Sequence, residues 1–127
     1  AALNPHAGDN GKFGREEIDI LAPAVRACQA RQMDVTGPWP SDTVFLKAKR
    51  GEVDAVVTMY HDQGQIAIKL LGFERGVTVA GGLPFPIATP AHGTAFDIAG
   101  QNKANIGATR QAFNLLLRMA NSHRAAP

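Results

Sequence analysis

The chain has 127 residues, about one domain's worth, enough to bury a working core and too few for two large domains. Its 45% hydrophobic and 19% charged residues make a globular composition, and no apolar run approaches the ~20 residues that cross a bilayer. Thirteen Lys and Arg stand against 11 acids for a net charge of +2, the basic residues are scattered and aromatics are 6%, so a nucleic-acid groove is excluded.

The opening Ala1, Ala2 and Leu3 read as the end of a strand running into a loop over residues 4–14, NPHAGDNGKFG, with three Gly, one Pro and two Asn. From Arg15 the pattern turns helical. Ile18, Leu21, Val25 and Cys28 recur at spacings of three and four, and Glu16, Glu17 and Asp19 occupy the first turn, where the helix dipole favours acids. Pro23 lies inside this pattern and is expected to kink the helix or delay its start. Val35 and Thr36 are a candidate short strand before the GPWP turn at 37–40. Ser41 or Asp42 is then expected to cap a short helix carrying Val44, Phe45 and Ala48.

Residues 53–60, VDAVVTMY, are the strongest strand in the sequence, β-branched and apolar as a buried parallel strand is. Residues 63–71 predict a helix with Ile66, Ile68, Leu70 and Leu71, and residues 77–79 a short strand ending at Gly81 and Gly82. Residues 83–105 read as a long loop region rich in Pro, Gly and Ala. A last helix over 106–122 is expected to turn Phe113, Leu116, Leu117 and Ala120 to one face. Strands alternating with helices predict an α/β architecture with a mostly parallel sheet. With no internal repeat and no linker, one unit is expected. The single cysteine, Cys28, excludes an internal disulfide and points to a reducing, cytoplasmic compartment. The start has no Met, charged n-region or apolar h-region, and the end is a polar Ala/Pro tail. The chain therefore reads as the C-terminal portion of a longer polypeptide without a signal peptide.

Two histidines follow predicted strand ends: His6 in the first loop and His61 in HDQG (61–64). Ligands of α/β sheets gather at the carboxyl ends of strands, and imidazole is the commonest side-chain ligand of zinc-like metals. On position alone, local capping, metal ligation and acid/base work all stay open for both. His92 opens HGTAFDIAG (92–100) in the long loop, a region too apolar for disorder and expected to carry function. His123 lies in the tail and is expected to be inert. Lys69, among Ile66, Ile68, Leu70 and Leu71, is either a surface lysine with a buried stem, the favoured reading, or a buried, chemically useful amine. Lys47, Lys49 and Arg50 read as a solvated helix face and Cys28 as core. No G-x-G-x-x-G or Walker pattern follows a strand.

The strings LNPHAG (3–8), EEID (16–19), PSDTVF (40–45), AVVTMYHDQG (55–64), GLPFP (82–86) and HGTAFDIAG (92–100), in order along the chain, resemble the 4-hydroxythreonine-4-phosphate dehydrogenase family. Its enzymes are longer, so the resemblance covers their C-terminal portion, with the N-terminal portion absent. It implies a three-layer α/β/α fold similar to isocitrate and isopropylmalate dehydrogenases, and a homodimer. The implied activity is a metal-dependent, NAD-linked oxidation of 4-phosphooxy-L-threonine with decarboxylation, in pyridoxal phosphate biosynthesis. Three histidines bind the divalent metal (Zn, Mg or Co) in the family; His6 and His61 match two, and the third belongs to the absent portion. Lys69 matches a substrate-contacting lysine, which overturns the surface reading. With Asp62 it is expected to be catalytic.

The stretch from His92 to Asn105 resembles the adenosine-binding loop of the wider isopropylmalate dehydrogenase superfamily. Asp97 would hold the ribose hydroxyls and favour NAD, Asn105 would face the adenine, and His92 would support it. Thr78 and Ile87 stand at substrate-binding positions where the pyridoxine-pathway enzymes carry Asn and Arg. Losing that Arg removes a bidentate anion contact. The alternative is therefore a family member oxidising 4-phospho-D-threonate or 4-phospho-D-erythronate, or an aromatic cis-dihydrodiol. An alternative of another class is a non-catalytic binding or dimerisation fragment; by itself the chain is expected to be inactive. The implied partner is a small phosphorylated hydroxy acid, with neither nucleic acid nor membrane.

Overall fold

Pro5 holds the preceding Asn4 in the extended region (φ −96°, ψ 156°), which ends a short opening segment and starts a turn over Pro5–Gly11. The computed structural model describes residues 1–125, with side chains through Ser122, so His123 lies outside the described side chains. The chain forms two compact units where the sequence predicted one, Ala1–Ala67 and the residues from Ile68 onward.

In the first unit Glu17–Leu21 make a π-turn, closed by the Ala22 N–H donating to the Glu17 carbonyl, and helix α1 follows over Ala22–Ala30. Pro23 thus falls in the first turn of α1, directly after the π-turn, so the helical run that begins at Glu16 changes its hydrogen-bond register there and does not start late. Helix α2 spans Val44–Lys49, with Val44 buried at its start. The expected caps do not form: Thr43 occupies the cap position, and its hydroxyl donates to the Pro40 carbonyl instead (3.3 Å). Helix α3 spans His61–Gly72, starting two residues before the predicted 63.

Neither Val35 and Thr36 nor residues 53–60 form a strand, which corrects two expectations. A strand exists only where a neighbour completes its ladder. Here the Ala1 amino group donates to the Val57 carbonyl (2.8 Å) and the Ala2 N–H to the Trp39 carbonyl (2.7 Å), too few bonds for a ladder. Val57, expected to be buried, is 75% exposed.

The second unit holds the sheet. Strand β1 (Val77–Ala80) pairs antiparallel with β2 (Ile87–Pro90), Val77 opposite Pro90 and Ala80 opposite Ile87. Among the described residues this two-stranded antiparallel sheet replaces the mostly parallel one expected. The supposed loop 83–105 thus contains a strand; its three prolines had masked a period-two segment whose last residue, Pro90, closes it. Helix α4 (Gly107–Ala125) packs on both strands and on the 3₁₀ turn Phe73–Arg75. Its inward face is Ala108 and Ala112, with Leu115, Leu116 and Met119 half-buried. Phe113 is 60% exposed and Leu117 also lies outside, so the predicted face is rotated by about one residue: alanines let the helix approach more closely than leucines would. No helix of the described residues is long and apolar enough to cross a membrane. The structure is mixed helix with a small sheet.

Candidate functional site

His6, Ala7, Gly8, Asp9 and Asn10 all have positive φ, between 41° and 81°, so the first loop is a left-handed turn. Single residues visit this region routinely only as Gly, Asn or Asp; for His6 and Ala7 it costs about 1–2 kcal/mol each. Such strain persists only when surrounding contacts over-determine it. Gly8 is buried in the middle of the turn, and a Cβ there would stand 2.7 Å from Glu17 Oε2 and 3.2 Å from the Gly14 carbonyl. Only glycine combines that approach with that φ. The His6 ring is exposed and sits 6.0 Å from the Phe13 ring, tilted by 45°.

Glu17 is 4% exposed. Its Oε1 accepts from the Leu3 N–H (2.9 Å) and the Asn4 N–H (2.7 Å), and its Oε2 from Asn4 Nδ2 (3.0 Å). Asn4 Nδ2 also donates to Glu16 Oε2 (2.6 Å). Burial pushes the Glu17 carboxyl up, but the backbone and side-chain hydrogen bonds of Asn4, with that of Leu3, outweigh it and leave the group below the ordinary glutamate range. Gln63, in the first turn of α3, is 9% exposed. Its Nε2 donates to the Ala2 carbonyl (2.7 Å) while its Oε1 accepts from the Met59 N–H (2.8 Å). The segments leading into His6 and into His61 are therefore tied by one side chain. Neither role is legible in the sequence, where Glu17 reads as a helix-dipole acid and Gln63 carries no distinguishing pattern. Gln63 lies inside the histidine-bearing HDQG string, whereas Glu17 lies nine positions past LNPHAG with no local signal of its role.

His61 is exposed, and its Nδ1 lies 2.8 Å from Asp62 Oδ1. A carboxylate on Nδ1 selects the tautomer that leaves Nε2 free, the arrangement usual for a metal-ligating histidine. Asp62, expected to be catalytic, is thus directed at its neighbour's ring. His6 and His61 belong to the same unit. No cluster of three or more His, Cys, Asp or Glu able to hold a metal occurs among the described residues. Two imidazoles suit a zinc-like ion better than magnesium, which prefers oxygen, and they fall short of the three protein ligands a catalytic zinc site keeps.

The second unit carries the other expected site residues. Lys69 is exposed on α3. Thr78 lies opposite Thr89 and Ile87 opposite Ala80, so Thr78 and Ile87 share one face of the hairpin, and both are exposed. The structure brings these two together, on the face opposite half-buried Val77, Ala88 and Pro90. His92 is half-buried with Nδ1 2.8 Å from the Gly93 carbonyl oxygen, and Asp97 is exposed with its backbone carbonyl accepting from Gln101 Nε2 (2.7 Å). Asn105 Oδ1 accepts from the Gly107 N–H (2.8 Å), capping α4, which leaves its Nδ2 for other partners.

The family model of the pyridoxal phosphate biosynthetic protein PdxA matches residues 1–116. A Pseudomonas aeruginosa protein provisionally named 4-hydroxythreonine-4-phosphate dehydrogenase 2 is 67% identical over 126 residues, covering 97% of this chain and 37% of that protein. The D-threonate 4-phosphate dehydrogenase of Salmonella typhimurium is 52% identical, over 94% of this chain and 37% of its own length. Among solved structures, 4-hydroxythreonine-4-phosphate dehydrogenase from Klebsiella pneumoniae superposes with a TM-score of 0.78 at 50% identity, over 91% of this chain and 35% of that one. The chain thus spans little more than a third of the length of the curated relatives it matches.

Proposed function

The chain belongs to the PdxA family of pyridoxal phosphate biosynthetic proteins, and from that premise we propose that the full-length protein oxidises a phosphorylated hydroxy acid such as 4-phosphooxy-L-threonine, with NAD as oxidant, a divalent metal at His6 and His61, and loss of carbon dioxide. Assembly as a cytoplasmic homodimer is part of the same proposal. The observation that carries it is the left-handed turn at His6: a strained, over-determined loop presenting an exposed imidazole is what a ligand site needs and what packing alone does not. The third metal ligand comes from outside this chain.

A divalent ion there would acidify the substrate hydroxyl and stabilise the enolate that decarboxylation leaves. Asp62 holds His61 in the tautomer that offers Nε2. The Lys69 ammonium supplies a fixed positive charge, or the proton the substrate carbon takes up once carbon dioxide has left. Asp97 accepts hydrogen bonds from the ribose hydroxyls and repels a 2′-phosphate, which favours NAD over NADP. His92 and the free amide of Asn105 serve the adenine.

A second reading has a specific observation behind it. Thr78 and Ile87, neighbours on the exposed hairpin face, offer no cation to a phosphate or carboxylate, and a relative 52% identical is named for D-threonate 4-phosphate. The test is NADH formation by the full-length protein, with and without a divalent-metal chelator, on 4-phosphooxy-L-threonine, 4-phospho-D-threonate and an aromatic cis-dihydrodiol. Chelator-sensitive turnover of the first is expected. Turnover of 4-phospho-D-threonate alone selects the second reading, and no turnover of any, with metal and NAD bound, overturns both.

A further inference from the structure

Among the described residues, the buried polar side chains are two, Glu17 and Gln63, and both reach the segment 2–4 just upstream of His6, Gln63 at Ala2 and Glu17 at Leu3 and Asn4. The surrounding unit is thinly cored: its buried apolar residues are Ala2 and Val44. In such a setting an apolar side chain would contribute more stability than a buried carboxylate or amide, whose hydrogen bonds do little more than offset desolvation. The geometry these two impose is of greater consequence. Gln63 joins the Ala2 carbonyl to the Met59 N–H, so it fixes the backbone entering His6 against the backbone entering His61. Glu17 fixes the next two N–H groups, and its other oxygen stands against Gly8 inside the left-handed turn.

We infer that Glu17 and Gln63 are the positioning residues of the histidine pair: Gln63 sets the spacing of the two ligand-bearing segments, and Glu17 holds the strained turn that aims His6. The inference rests on the reading of His6 and His61 as metal ligands. Neither residue touches substrate or metal; each acts through backbone that carries a ligand.

The test is Co²⁺ titration of the full-length protein, read by its visible d–d spectrum, which reports ligand geometry as well as occupancy. Gln63→Glu keeps the oxygen that accepts from Met59 and loses the donor to Ala2. Glu17→Leu loses every bond of that carboxylate, whereas Glu17→Gln keeps the acceptor for Leu3 and Asn4. Gln63→Glu and Glu17→Leu are expected to weaken Co²⁺ binding about 10–100-fold, the usual cost of removing a group that orients a ligand, and to alter the spectrum while near-UV circular dichroism shows a folded protein. Glu17→Gln is expected to recover most of the affinity. Unchanged affinity and spectrum in folded variants, with only a lower melting temperature, would overturn the inference. His6→Ala is the control: if it binds Co²⁺ like the parent, the metal reading itself fails. Should Gln63→Glu not fold, the two Glu17 variants carry the same comparison.

Discussion

The two units hold their expected site residues in opposite ways. In the first, side chains reach far along the chain: Glu17 bonds residues 13 and 14 positions away, and Gln63 one 61 positions away. In the second, every side-chain hydrogen bond among the described residues spans four positions or fewer, as for His92, Asp97 and Asn105. Long-range bonds fix geometry before any ligand arrives; local ones fix only the turn in which they occur. On the proposed function, the first unit is thus preorganised for ligation, whereas the loops of the second, held by local bonds alone, are expected to take their final geometry from what they bind. Large exposed side chains such as Leu70 and Phe96, both more than 80% exposed, belong to that same second unit.

Lys69→Met tests the comparison hardest, because it asks an exposed residue of the second unit to carry chemistry. Turnover is expected to fall about 10²–10⁴-fold, the range of a lost general acid, with Co²⁺ affinity unchanged. Unchanged turnover would reduce the second unit to a binding surface and remove Lys69 from the mechanism.

Glu17→Ala strikes the first unit where it is most organised. It leaves the part-buried Leu3 and Asn4 N–H groups without their acceptor, so a loss of about 1–3 kcal/mol is expected in denaturant unfolding. The Glu17 carboxyl is held below its ordinary 4.5, so its contribution is fully present above about pH 4.5 and is lost as pH falls through the folded-state value. Glu17→Gln should flatten that acid limb. Glu52 is also pulled down, to about 2, first by its hydrogen bond from Arg50 and then by that from Lys47, yet it lies in water, where such pairs contribute little. A change at Glu52 that matched Glu17→Ala would break the distinction between held and solvated carboxylates.

These contrasts mark what could be read from the sequence. The helices α3 and α4, strand β1 and the loop bearing His6 were legible, because local pattern and turn chemistry determine them. Residues 53–60 were not: apolar β-branched composition records a capacity to pair, and pairing depends on neighbours. Strand β2 is hidden by three prolines, and the buried face of α4 does not follow side-chain bulk, because Ala108 and Ala112 make the contact. Glu17 and Gln63 escaped for a related reason. Nothing in an EEID or HDQG string states that a side chain will turn back onto residues 2–4.

Asp97→Asn should behave as the mirror image of Glu17→Ala. The residue is exposed and its own bond to Gln101 uses the backbone, so melting is expected to stay unchanged while NAD binding weakens roughly tenfold, as for loss of one charge-assisted hydrogen bond. A lower melting temperature with intact NAD affinity would assign Asp97 to the fold and leave the loop without its proposed ligand contact.

Asn105 gives the smallest effect and the finest discrimination, because its two amide atoms face different tasks. Oδ1 caps α4 through the Gly107 N–H, and Nδ2 is the group proposed to meet adenine. Asn105→Ala removes both and is expected to cost about 1 kcal/mol in thermal unfolding together with some NAD affinity. Asn105→Asp keeps the capping oxygen, adds a charge favourable at a helix N-terminus and removes only the donor. It should therefore restore stability without restoring NAD binding. If Asn105→Asp restores both, the residue serves the helix alone, and the second unit orders its loop by the same internal means as the first.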